Sequence, residues 1–149
     1  MKILVPVDGS KHSMEGLKVA AHYAKTKGAE VSVMTVISYI ADIDLELSAS
    51  ERDRILESMK SRGEEILQKA KEITSAEGIA SINTVLVTGT SAAHEIVSFA
   101  EKEKTDLIVI GSRGMGATQR FLLGSVAGKV VRYSPCCVYV VKEPCSCFI

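Results

Sequence analysis

The sequence predicts an α/β fold, a doubly wound parallel sheet with helices on both faces. Three observations carry this. Short apolar, β-rich runs alternate with segments whose apolar residues recur at helical spacing, and the alternation is strict, βαβαβαβαβ. One run, Leu107 to Ile110, is apolar without a break, as a strand covered by helices on both faces requires. Such alternation implies right-handed crossovers and parallel strands, with ligands bound beyond the carboxyl ends of the strands at a topological switch point.

The first strand is Ile3 to Val7, ended by Asp8-Gly9-Ser10, which supplies turn and helix-capping chemistry. From Ser13, residues Met14, Leu17, Ala20, Ala21 and Ala24 form one helical stripe, and Gly28 stands where that helix stops. Glu30 to Val36 is the second strand. Ser38 to Ser50 has no clear period and reads as a loop. Ser48 and Glu51 fit a capping box opening a long helix, with Ile55, Met59, Ile66, Ala70 and Ile73 on its stripe, Gly63 inside it and Gly78 beyond its end. Ser81 to Val87 is the third strand, and Thr90 or Ser91 caps a helix with Ala93, Ile96, Val97 and Ala100 inward. After Leu107 to Ile110, a glycine-rich stretch leads to a short helix bearing Val126, Val130 and Val131. Ser134-Pro135 stops it before the last strand, Cys137 to Val141.

At 149 residues, 46% of them hydrophobic, the chain has the size of one domain, 1–149, with 142–149 as a tail. Basic and acidic residues number 18 each, so no global field draws it to nucleic acid or anionic lipid, and a polyanion must be held locally. The opening apolar run is too short for a signal peptide or a membrane span, and a cytoplasmic location is expected. The four cysteines, Cys136, Cys137, Cys145 and Cys147, lie together near the end and read as thiols. Their spacings differ from the C-x2-C pattern of zinc or thioredoxin sites.

The loops expected to meet ligand carry Asp8-Gly9-Ser10 and Gly111-Ser112-Arg113-Gly114, while Gly124-Ser125 opens the last helix. Glycines let main-chain N–H groups approach phosphate oxygens, and a helix N-terminus adds unpaired donors with a positive dipole end. A Walker A motif fails here: Gly124 and Gly128-Lys129 stand one residue too close, and Val130 replaces the Ser or Thr. A dinucleotide fingerprint fails too, because Gln119 occupies its third glycine position and the segment follows the fourth strand. What fits is Gly111, two residues, Gly114, nine residues, then Gly124-Ser125.

That spacing resembles the ATP-binding signature G-x2-G-x9-G-S/T of the universal stress protein family. The resemblance spans nearly the whole chain: Ile3 to Ser10, Gly89 to Ile96, Asp106 to Gly114, and Ser134-Pro135-Cys136. It implies five parallel strands in the order 3-2-1-4-5 with ATP in the cleft between the first and fourth. It implies that Gly111 and Gly114 lie along ribose and phosphates and that Gly124 and Ser125 take the terminal phosphates. Val7, Asp8 and Val36 would surround base and ribose, with Val126 adding a main-chain contact. Mg2+ would accompany ATP, held mainly by the phosphates.

Arg113 and Lys129 read as solvated cations, and His12, His22 and His94 as separate rather than a metal cluster. Val138-Tyr139-Val140-Val141 forms an uncharged sheet edge, so a homodimer through this strand is expected, and the resemblance implies the same. Asp8 is the one acid well placed for catalysis, whereas Asp106 stands at the wrong end of its strand, so hydrolysis is expected to be slow or absent. A nucleotide-free dimeric scaffold of the same fold is the alternative. An α-phosphate enzyme would want S-G-G-x-D-S after the first strand, and a phosphorelay receiver would want an acidic pair there; this chain has neither.

Overall fold

A computed structural model describes residues 1–38, 46–114 and 122–143. The elements in chain order are β1 (Lys2–Pro6), α1 (Lys11–Lys27), β2 (Glu30–Ser38), α2 (Ala49–Ala76), β3 (Asn83–Gly89), α3 (Ala92–Lys102), β4 (Leu107–Gly111), α4 (Ser125–Tyr133) and β5 (Cys137–Val141). All four strand pairings are parallel, and the sheet order is β3-β2-β1-β4-β5, as the resemblance implied. The order reverses at β1, which turns toward β2 on one side and β4 on the other. This is the switch point.

Alternation along each strand divides the core in two. Ile3, Val5 and Val7 of the first strand and its exit pack with Leu17, Ala20, Leu67 and Ala70, so α1 and α2 cover one face. Leu4, Met34, Ile108 and Ile110 pack with Ala93, Ile96, Ala127 and Val130, so α3 and α4 cover the other. Residues of β4 are buried along its whole length. At the amino ends of the strands, Lys2 N–H donates to Asp106 Oδ2 at 2.6 Å and Asp106 N–H to the Lys2 carbonyl at 2.9 Å, which fixes Asp106 at the end of the sheet away from the switch-point loops.

Helix entries follow the serine chemistry read from the sequence. Ser10 accepts from Ser13 N–H, Ser91 accepts from His94 N–H, and Ser48 with Glu51 forms a complete capping box. Gly28 and Gly78 take left-handed φ values of 63° and 88° at helix exits.

Element bounds shift: β1 is Lys2–Pro6 where Ile3 to Val7 was expected, and β3 is Asn83–Gly89 where Ser81 to Val87 was expected. Helix α1 starts at Lys11, before Ser13, and β2 continues to Ser38, into the span read as a loop; residues 39–45 of that span lie outside the described residues. The stripe of α2 reaches the core only from Gly63 onward, through Leu67, Ala70 and Thr74, while Ile55 is exposed and Met59 half-buried. Gly63 sits where α2 lies close to the sheet: a Cβ there would lie 2.6 Å from Leu86 Cδ1, and that side chain would have to shift. In α4, Ala127 and Val130 face inward while Val126 and Val131 are exposed, because the helix axis turns its smaller residue to the sheet.

Candidate functional site

A cleft of about 550 Å³ opens at the carboxyl ends of the strands, lined by residues of the β1 exit, β2, α3, the β4 exit and the start of α4. All eight residues singled out from the sequence, Val7, Asp8, Val36, Gly111, Gly114, Gly124, Ser125 and Val126, lie on its wall. The sequence reading missed the apolar part of that wall, which includes Met34, Ile96, Leu122 and Leu123. Arg113, read as a solvated cation, is half-buried and lines the cleft as well, whereas Lys129 is exposed and does not.

The β1 exit is held by one main-chain bond and one from a threonine hydroxyl. Val7 N–H donates to the Met34 carbonyl at 2.8 Å, and Thr35 Oγ1 donates to the Val7 carbonyl at 2.7 Å. Asp8 Oδ1 accepts from Ser10 N–H at 2.9 Å across Gly9, whose φ of 87° suits a residue without a side chain. Asp8 thus shapes the turn and lines the cleft together. The Met34 carbonyl faces β1, and residues two apart share a side of a strand. The Val36 main chain therefore faces the same side, past the end of β1.

Of the three signature glycines, Gly111 is required by packing behind the cleft, while Gly114 and Gly124 stand close to neighbours that can give way. A Cβ on Gly111 would lie 2.7 Å from the His12 carbonyl carbon and 2.8 Å from Ser13 N, both main-chain atoms of the first turn of α1. A Cβ on Gly114 would lie 2.8 Å from Asp8 Oδ2, and one on Gly124 would lie 3.3 Å from Arg113 Cα and from the Ser112 carbonyl. The sequence reading gave these glycines to ligand space. The structure shows that Gly111 first lets the β4 exit close on the first turn of α1.

The start of α4 completes the wall. Its N-cap is Gly124, which has no side-chain hydrogen bond to offer the first turn, unlike the serine caps of the three other helices. The N–H groups of Ser125, Val126 and Ala127 precede the first intrahelical bond, from Gly128 N–H to the Gly124 carbonyl at 2.8 Å. These donors and the positive end of the helix dipole stand at a cleft wall, an arrangement suited to an anion.

The remaining candidates lie elsewhere. His22 packs edge-on against Tyr23, and His94 Nε2 is 3.5 Å from Ser98 Oγ. No group of three or more metal-ligating side chains comes together among the described residues. Cys136 is half-buried and Cys137 exposed, both as free thiols, while Cys145 and Cys147 lie outside the described residues. Among the described residues no helix is long and apolar enough to cross a membrane.

A parallel sheet of order 3-2-1-4-5 with a cleft at its switch point defines the class, a Rossmann-like doubly wound α/β protein. Residues 1–142 match the universal stress protein family, and the chain belongs to that family. It is 41% identical over 143 residues to universal stress protein MJ0531 of Methanocaldococcus jannaschii, covering 96% of this chain and 82% of the relative. Among solved structures, hypothetical protein MJ0577 superposes with a TM-score of 0.81 at 29% identity, over 95% of each chain. The universal stress protein of Archaeoglobus fulgidus in complex with dAMP gives a TM-score of 0.68 at 27% identity, over 95% of this chain and 98% of that one. A universal stress protein in complex with cAMP gives 0.66 at 25% identity, over 95% of each.

Proposed function

We propose that the chain is a single nucleotide-binding domain that holds ATP in the switch-point cleft and acts as a regulatory homodimer in the cytoplasm. The observation that carries this reading is the uncapped N-terminus of α4 on the wall of a cleft that the eight residues share. The donors of Ser125, Val126 and Ala127 suit the terminal phosphates, with Gly111, Gly114 and Gly124 keeping the main chain close to the rest of the phosphate chain. Asp8 offers a carboxylate to ribose hydroxyls. Val36 offers its main-chain N–H and carbonyl to the edge of the base, between the apolar surfaces of Met34, Ile96 and Val7. Relatives of the same fold solved with dAMP and cAMP support an adenine ligand.

Asp8 is the one carboxylate on the cleft wall among the described residues, so Mg2+ would be held mainly by the phosphates. A single acid already engaged with Ser10 N–H favours storage or signalling of ATP over its rapid cleavage. The dimer would form by pairing of the β5 edges, since β5 has a neighbour on one side only.

Isothermal titration of ATP and Mg2+ into the purified chain tests the reading, together with mass spectrometry of protein isolated without added nucleotide. Saturable binding near one site per chain is expected. An empty protein that also rejects titrated ATP would overturn it and leave a nucleotide-free scaffold.

A further inference from the structure

Ser112 joins three parts of the molecule through its main chain and side chain. Its N–H donates to the Val141 carbonyl at the end of β5, at 2.8 Å, and its carbonyl accepts from Gly124 N–H, at 2.8 Å. The residue that N-caps α4 is therefore hung on Ser112. The Ser112 side chain is buried, is absent from the cleft wall, and turns to the back of the loop, where Oγ lies 3.4 Å from His12 Nδ1. The other imidazole nitrogen, Nε2, lies 3.9 Å from Glu143 Oε2, just beyond β5.

Both contacts are compatible with one imidazole tautomer, and the one to Ser112 is within hydrogen-bond distance. With the ring proton on Nε2, Nδ1 is left to accept the Ser112 hydroxyl proton, while Nε2 faces the Glu143 carboxylate from beyond hydrogen-bond distance. The His12 main chain lies close to Gly111, where an added Cβ would meet its carbonyl carbon at 2.7 Å. Among the described residues, Glu143 is the charged group within ion-pair distance of the ring. The nearest acid on the same helix, Glu15, is held by Lys18 at 2.8 Å.

We propose that His12 and Ser112 are positioning residues for the cleft, a clasp that holds Gly124, and with it the donors of α4, at the height of the bound phosphates. Ser112 is buried behind the loop, so it acts on the site through Gly124 without touching ligand. The part of this inference that concerns affinity rests on the nucleotide reading above. The part that concerns Gly124 does not.

The experiment therefore has two arms on the full chain: hydrogen exchange of the Gly124 amide in the unliganded protein, and calorimetric affinity for Mg2+-ATP. His12→Ala should speed Gly124 exchange and weaken ATP by about fivefold each, the effect of one lost hydrogen bond. Exchange in β2 and β3 should stay unchanged. His12→Asn, whose amide nitrogen or oxygen stands near the place of Nδ1, should restore both quantities, and His12→Gln, which reaches toward Glu143 instead, should not. Ser112→Ala should repeat the His12→Ala effect, and the double variant should add nothing further. If the parent binds ATP while His12→Ala leaves Gly124 exchange or ATP affinity at parental values, the clasp is refuted and the nucleotide site stands. If Gly124 exchange responds as expected and the parent binds no ATP, the clasp stands and the nucleotide reading falls. Should His12→Ala fail to fold, the contrast between the Asn and Gln variants decides: equal behaviour of the two overturns the proposal.

Discussion

Gly111→Ala tests whether the signature glycines serve packing before they serve ligand. The added methyl would meet the His12 carbonyl carbon at 2.7 Å and Ser13 N at 2.8 Å, distances that carbon atoms do not tolerate. Both are main-chain atoms in the first turn of α1, so no rotamer change relieves the contact. Gly111 lies outside the left-handed region, and the φ angle itself adds no strain. Overpacking of this kind costs roughly 1–3 kcal/mol, and the unyielding neighbours place it in the upper half of that range. Loss of glycine freedom in the unfolded chain offsets about 0.4–1 kcal/mol. The net expectation is a destabilisation of about 1–2.5 kcal/mol, read as a fall in Tm of roughly 2–4 °C per kcal/mol for a chain of this size. Gly114→Ala is the control. Its methyl meets the far end of one side chain, Asp8 Oδ2, which can turn away, so stability should change by less than ~0.5 kcal/mol while ATP affinity falls. Urea unfolding and calorimetric titration of both variants supply the data. A Gly111→Ala protein as stable as the parent, or a Gly114→Ala protein less stable than it, would refute the packing argument.

Three further outcomes are expected. Asp8→Asn keeps an oxygen for the Ser10 N–H bond at 2.9 Å, so the fold should persist while ATP affinity drops about tenfold or more through loss of a charge-assisted contact; unchanged affinity by calorimetry would remove Asp8 from the site. Ser48→Ala breaks the capping box of α2, in which Glu51 N–H donates to Ser48 Oγ at 3.3 Å, and should cost ~1 kcal/mol in urea unfolding without affecting ATP binding. The intact chain should sediment as a dimer at micromolar concentration through its β5 edges, and a monomer throughout that range would contradict the pairing.

The elements were legible because each has its own period. Val31, Val33 and Met34 in β2 and the unbroken Leu107–Ile110 run could not serve as amphipathic helices, and serine caps marked where helices begin. What escaped is what periodicity does not encode. It does not say where a sheet ends, so Ile55 and Met59 looked like core although the first turns of α2 run past it. Nor does it rank Val131 below Ala127 on a short helix, where close approach to the sheet favours the smaller residue. At the site, glycines and Asp8 could be found by spacing and resemblance. Met34 and Ile96 could not, because an apolar residue facing a cleft reads like one facing the core. The partners of His12 come from distant segments, Ser112 after β4 and Glu143 after β5, and no local pattern joins them.

The first turn of α4 presents peptide groups where many anion sites present lysines. Peptide donors have no side chain to acetylate and none to titrate, and they stay in place through exchanges other than proline at the exposed positions 125 and 126. At this end of the site the grip on an anion therefore depends on main-chain position rather than on the polarity of side chains. Side chains at the exposed positions of that turn could change without moving these donors, while one methyl group at Gly111, across the cleft, would meet the main chain of α1.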